Sequence, residues 1–279
     1  MNLSPAVRTF LVKVRDHDIL NGAAVLGFYL TLAIFPAVIL TMAVLPYLPV
    51  ADVDVAIMDL LGQALPPGAA DMFRGVVSEV TQQPRGGLLS FGIAASVWAT
   101  STGMYAIMQQ LNTIYGVKEG RGFLRGRWVA ICLSLLFVGL VILAFSLVVL
   151  GGVLQDWIGA RLGSSGWLHV LFSISRWVII VSGLVLGFAL IYYLAPHLKQ
   201  RFRLLTKGNI AAALLLIFAS LAFARYVQSF WNYSATYGSI GAVIVLMLWL
   251  YMAGLSMLIG AELNALRHHA DPDDATRST

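Results

Sequence analysis

The sequence predicts an all-α polytopic membrane protein: six transmembrane helices, with an amphipathic helical cap on the periplasmic side. Three observations carry this. Apolar residues make up 59% of the 279-residue chain and charged residues only 11%, whereas charged residues alone are about a quarter of an ordinary globular domain. Six windows, 22–49, 88–111, 128–154, 172–195, 208–229 and 239–263, are apolar over the ~20 residues a helix needs to cross ~30 Å of hydrocarbon. Within them apolar residues run continuously, not in the ~10-residue alternating segments of a membrane β-barrel. A single membrane domain over 1–266 is expected, with a disordered cytoplasmic tail at 267–279.

Residues 4–18 open with Ser4-Pro5, a good N-cap and first-turn pair, and place Val7, Phe10, Leu11 and Val14 on one face. They predict a short amphipathic helix on the cytoplasmic surface. The first span is too long for a cleaved signal and lacks a suitable cleavage site. Pro36, near its middle, removes a backbone donor and marks a hinge or a packing kink. The acidic loop at 50–87 splits at Pro66-Pro67 into two stretches with helical apolar spacing. These form the expected cap, either a lid on the spans or a docking surface for a periplasmic partner.

The second span carries Gly92, Ser96, Ala99, Gly103 and Ala106 on one helical face, and small stripes of this kind let membrane helices approach closely. Gly183 and Gly187 repeat the device in the fourth span, and Ala253, Ser256, Gly260 and Asn264 in the sixth. The last of these faces is expected to pack on a neighbour, with the stripe of the second span as one candidate. Tyr237-Gly238-Ser239 predicts a turn into the sixth span, with Ser239 as its cap.

Between the spans, Arg8, Lys13, Arg15, Lys118, Arg121, Arg125, Arg127, Lys199, Arg201, Arg203, Lys207, Arg267 and Arg277 fall on one side, and Arg74, Arg85 and Arg161 on the other. Basic loops stay cytoplasmic, so both termini are expected inside. The net charge of +5 then reflects topology and anionic headgroups, and no nucleic-acid partner is expected.

Arg176 and Arg225 are the arginines inside or at the edge of spans, both toward the outer end, where together they could hold a lipid phosphate or a carboxylate. Glu262 is placed close to water at the cytoplasmic end, paired with Arg267 or with basic loop residues. Enzyme signatures are missing. His17, His169, His197, His268 and His269 form no His-x-His-x-Asp-His run, and no nucleophile elbow, phosphate-cradling loop or dinucleotide fingerprint occurs. Cys132 is the lone cysteine, so no disulfide or thiolate metal site is available. Neither metal nor cofactor is expected.

The run Tyr233-Ser-Ala-Thr-Tyr-Gly-Ser-Ile-Gly-Ala-Val-Ile, together with Leu248-Trp-Leu-Tyr251 and Gly260-Ala-Glu-Leu-Asn264, resembles the YihY/BrkB family of bacterial inner-membrane proteins. Phe35-Pro36, Leu65-Pro66, Leu111-Asn112 with Tyr115-Gly116, and Tyr193-Leu-Ala-Pro196 are similar to that family too. The chain departs from its pattern at Ser234 and Thr113. The resemblance, to a group once mislabelled as ribonuclease BN, implies a six-span inner-membrane protein with an envelope or lipid-related transport role. On this basis Arg176, Arg225, Asn112, Asn232, Glu262 and Asn264 are candidates for a substrate pathway for a lipid or other amphiphile. The alternative is a non-transporting scaffold that docks envelope partners. The nuclease label is rejected.

Overall fold

The computed structural model describes residues 5–44, 86–162, 166–198, 200–229 and 232–270. Among these, every regular element is a helix: α1 (Pro5–Asp16), α2 (Ile19–Val44), α3 (Gly86–Ile114), α4 (Phe123–Leu162), α5 (Gly166–Leu194), α6 (Lys207–Ser229) and α7 (Asn232–Ala270). Each apolar window corresponds to one of α2 to α7. The cap segment at 50–87 lies almost wholly outside the described residues.

Four stretches among the described residues are long and apolar enough to cross a membrane: Phe123–Ala144, Val170–Leu194, Lys207–Val227 and Val243–Arg267. Ile19–Ala33 adds a shorter apolar stretch in α2. Only 17% of the α4 and α6 windows is buried inside the protein, against 39% of the α7 window. The outer helices thus present leucine, phenylalanine and valine outward, as a lipid-facing surface does.

The helices close into a ring. Each packs on its chain neighbour from α2 round to α7, and α7 returns to pack on α2. The tightest contacts are α2 with α7, α2 with α3, and α6 with α7, while the seam between α5 and α6 is the most sparsely packed. Leu26, Met108, Leu111, Leu246 and Leu258 are fully buried between these helices. Small residues set the close approaches. A Cβ added at Gly103 of α3 would lie 3.0 Å from Ala33 of α2, and one at Gly254 of α7 would lie 3.2 Å from Leu26.

Two boundaries correct the sequence-based expectations. The helix begins at Asn232, not at a Tyr237-Gly238-Ser239 turn. Asn232 is itself a favoured helix-start residue, no proline interrupts the helix beyond it, and one glycine costs a helix only ~1 kcal/mol. At the other end α7 runs through Ala270, so the first four residues of the expected tail are helical. Pro36 sits inside an uninterrupted α2, where it leaves the Leu32 carbonyl without its usual helical donor.

Candidate functional site

The polar residues of the chain meet at one end of the ring, where α2, α4 and α6 begin and α3, α5 and α7 end. Local geometry places them there. Asp18 adopts a left-handed conformation (φ 49°) between α1 and α2, and Asn21 donates to its carboxylate at 2.8 Å. This turn brings His17 against α7. The close of α3 is a Schellman motif: Val117 N–H donates to the Asn112 carbonyl, Gly116 N–H to that of Thr113, and Gly116 takes φ +67°. The final turn so fixed presents Asn112 and Tyr115 to the interior.

His17 Nδ1 lies 2.7 Å from Glu262 Oε2, and Glu262 is 1% exposed. From its position in the sequence, Glu262 was expected near water beside Arg267. In the structure it is buried, and its partner comes from the far end of the chain. Burial of a carboxylate demands a paired, hydrogen-bonded surrounding, which His17 supplies.

Asn112 is a buried hub. Its amide donates to Glu119 Oε2 at 2.8 Å, and its carbonyl accepts the His197 N–H at 2.8 Å. Gly120 N–H donates to His197 Nδ1 at 3.2 Å, and Arg121 donates to the Pro196 carbonyl at 3.1 Å. The loops after α3 and after α5 are thereby tied together. Asn264 performs the same task between α7 and α6. It accepts the Gly208 N–H at 3.1 Å and donates to Asn209 at 2.9 Å. It also hydrogen-bonds Tyr115. The Tyr192 hydroxyl donates to the Met257 carbonyl at 2.6 Å.

Burial pushes the Tyr115 phenol well above the ordinary tyrosine range, the charge of Glu262 acts the same way, and the Asn264 hydrogen bond opposes both. Tyr115 therefore remains a neutral donor across the physiological range.

Beside this network, where the end of α5 and its connection to α6 meet the end of α7, is an open hollow of about 60 Å³ at the foot of the α5–α6 seam. Tyr115, Tyr192, Gln200, Arg201, Arg203 and Arg267 are among its lining residues, together with Asn209 and Asn264.

The sequence has known relatives. The family model described as "Virulence factor BrkB" matches residues 10–279. The chain belongs to the BrkB family. Among curated relatives, "Putative ribonuclease-like protein YfkH" of Bacillus subtilis (strain 168) is 34% identical over 252 residues, covering 90% of this chain and 91% of the relative. A UPF0761 membrane protein of Aliivibrio salmonicida (strain LFI1238) is 28% identical over 269 residues, covering 94% and 83%. No solved structure matches the chain. The BrkB chain is thus a membrane protein; the first relative's name describes that protein as ribonuclease-like, and the second's gives no activity.

The remaining candidates divide by location. Arg176 and Arg225 are exposed and lie toward the opposite ends of α5 and α6, where they join neither the network nor the hollow. Arg176 is eighteen residues before Leu194, about 27 Å at 1.5 Å per residue. Asn232 starts α7, and its side chain falls outside the described residues, as do the surroundings of Gly92. Gly183 has no neighbour among the described residues within 4 Å of an added Cβ, and Gly187 makes ordinary contacts with Leu140 and Phe137. Ser96 is buried, and Ser256 donates to the Met252 carbonyl of its own helix.

Gly260 packs on α6, not on α3: an added Cβ would meet Ala212 Cβ at 2.6 Å, the Gly208 carbonyl at 2.6 Å and the Tyr192 hydroxyl at 2.7 Å. Sequence reasoning missed His17, Tyr115, Tyr192, His197 and Asn209. For Tyr115 and Tyr192 a signal existed, since Tyr115 belongs to a family-like stretch at a helix end and Tyr192 adjoins another. No feature of the sequence pairs residues 17 and 262.

Proposed function

We propose that this BrkB-family protein moves a lipid or another amphiphile within or across the bacterial inner membrane. In this reading α2 to α7 all span the bilayer, and both termini, with the basic end of the ring, face the cytoplasm. The observation that carries the reading is the α5–α6 seam. Among the described residues this is the sparsest contact between chain neighbours of the ring, and a hollow lined by tyrosine and arginine opens beside it; in this reading the hollow lies at the level where aromatic and cationic side chains meet headgroups. A headgroup in the hollow would leave its chains beside the lipid-facing surfaces of α5 and α6.

The polar network around Asn112, Glu262 and Asn264 supports this reading as a rigid frame that holds the other seams shut. In this reading the chain carries no hydrolytic step. His17 faces Glu262, and His197 Nδ1 accepts the Gly120 N–H, so these groups are engaged in structural bonds.

Reconstitution tests the proposal. Proteoliposomes containing the purified chain should exchange fluorescent phospholipid between leaflets faster than protein-free vesicles of the same lipids. Equal rates, together with stoichiometric co-purification of an envelope protein, would favour the scaffold alternative.

A further inference from the structure

We propose that the hollow at the α5–α6 seam is a binding site for the phosphate of an anionic lipid headgroup, with Arg201 and Arg267 as its principal cationic contacts. Three arginines, Arg201, Arg203 and Arg267, line the hollow together with Tyr115, Gln200 and Asn264, and no carboxylate is among its lining residues. Cations gathered around a small concavity, with neutral hydrogen-bonding groups between them, match the oxygens of a phosphate in charge and in donor geometry. Glu262, whose charge acts on Tyr115, is not among the lining residues and is held by His17.

The segment that carries two of these arginines is positioned by bonds at each end. Gln200 donates its amide to the Tyr192 carbonyl in the last turn of α5. Asn209 donates to the Arg203 carbonyl at 3.1 Å and to the Leu204 carbonyl at 2.7 Å, and its own N–H is capped by Thr206 Oγ1 at 3.1 Å. Asn209 is buried and locked in turn by Asn264. The third arginine comes from the last turns of α7. The site is thus assembled from three elements that the Asn209–Asn264 bond holds in register, and a bound anion would stay in place without a large ordering cost.

The same segment argues for a lipid over a free anion. Phe202, Leu204 and Leu205 alternate with the arginines and are 44%, 42% and 74% exposed. Phe202 packs edge-on against Tyr193 with ring centroids 5.4 Å apart. Apolar side chains beside cations are the pattern of a segment lying in the headgroup region, with rings and aliphatic groups dipped toward the acyl chains.

The assignment deepens the amphiphile reading, and rests on it only for the ligand being a lipid. The test uses the full chain in bilayers of equal parts phosphatidylcholine and phosphatidylglycerol, released into native mass spectrometry, where retained lipids are identified by mass. The wild-type chain should retain phosphatidylglycerol in preference. R201Q/R267Q should lose that preference by about thirtyfold, because each basic residue beside anionic lipid is worth roughly a fivefold factor. R8Q/R125Q, elsewhere on the basic end, should keep it within about twofold. Should the double variant fail to fold, R267Q alone on the exposed last turns of α7 should lose about fivefold.

Equal retention of both lipids by the wild type, survival of the preference in R201Q/R267Q, or an equal loss in R8Q/R125Q would overturn the site. Displacement of the retained lipid by excess inorganic phosphate would keep the phosphate chemistry but refute the lipid as its source. The two readings fail separately: selective retention without leaflet exchange defeats transport and leaves the site, and exchange without selectivity defeats the site and leaves transport.

Discussion

Replacing Gly260 with alanine should separate α6 from α7. The added Cβ would meet Ala212 Cβ and the Gly208 carbonyl at 2.6 Å and the Tyr192 hydroxyl at 2.7 Å. Two of these obstacles are fixed to the α6 backbone and cannot swing aside. The reciprocal position is as tight, since a Cβ on Gly208 would collide with the Gly260 carbonyl and the Asn264 side chain. To relieve such contacts the helices must part by on the order of 1 Å, and close-packed interiors yield little. Overpacking of this kind costs about 1–3 kcal/mol. The same movement would stretch the Gly208–Asn264 bond of 3.1 Å, a further ~1 kcal/mol. A total of about 2–4 kcal/mol corresponds to a melting temperature roughly 5–10 °C lower, on the scale of soluble domains of similar length.

The internal control is Gly183→Ala, at a glycine with nothing among the described residues within 4 Å of the added atom. It should be neutral or stabilising by up to ~1 kcal/mol through helix propensity. Thermal unfolding of both variants, purified in one detergent and monitored by size-exclusion fluorescence, gives the comparison. Equal melting temperatures for Gly260→Ala and Gly183→Ala would refute the close approach of α6 and α7.

Three further substitutions probe the frame of the site. Asn112→Ala removes the partner of Glu119 Oε2 and of the His197 N–H, while Arg121 still holds Glu119 Oε1; it should lower stability by about 1–3 kcal/mol, with faster proteolysis of the loops at 117–122 and 195–206 as the readout, and an unchanged digestion pattern would count against the hub. Gly116→Ala has open space around it but a φ of +67°, so it should cost about 1–2 kcal/mol from backbone strain alone, and an unshifted melting curve would contradict the Schellman ending of α3. Tyr115→Phe tests the raised phenol. A folded-state value above the unfolded one stabilises the protein below pH ~10 and loses that contribution as pH rises further, so between pH ~9 and ~11 the wild type should lose melting temperature more steeply than Tyr115→Phe. Parallel slopes would refute it.

Much of the architecture was legible in the sequence because the membrane writes it there. Continuous apolar runs of span length have few alternatives to helices, and α2 to α7 coincide with them. Turn signals proved weaker. Tyr237-Gly238-Ser239 has the composition of a loop, yet in an apolar setting without proline the helix runs through it. The candidate site was legible only in part. Asn112, Glu262 and Asn264 stood out as polar residues at helix ends, but spacing along one helix carries no information about a partner 245 positions away, as His17 is from Glu262. Asn209 and Tyr192 gain their roles only when α5, α6 and α7 meet, and Gly260 reveals its neighbour only through the ring order. Arg176 and Arg225 attracted attention by charge alone, and the fold sets them apart from the polar end.

Lipid passage at the α5–α6 seam is the central claim, and the seam can be plugged. Ala189 is buried and borders the hollow, and Ala189→Leu would add three carbons to a space of about 60 Å³. The decisive measurement is the rate of leaflet exchange of fluorescent phosphatidylglycerol in proteoliposomes carrying wild-type or Ala189→Leu protein of matched melting temperature. Passage at the seam predicts exchange above the protein-free rate for the wild type and a return to that rate for the plugged variant. Exchange that is equally fast in both, or in neither above the protein-free vesicles, would contradict it.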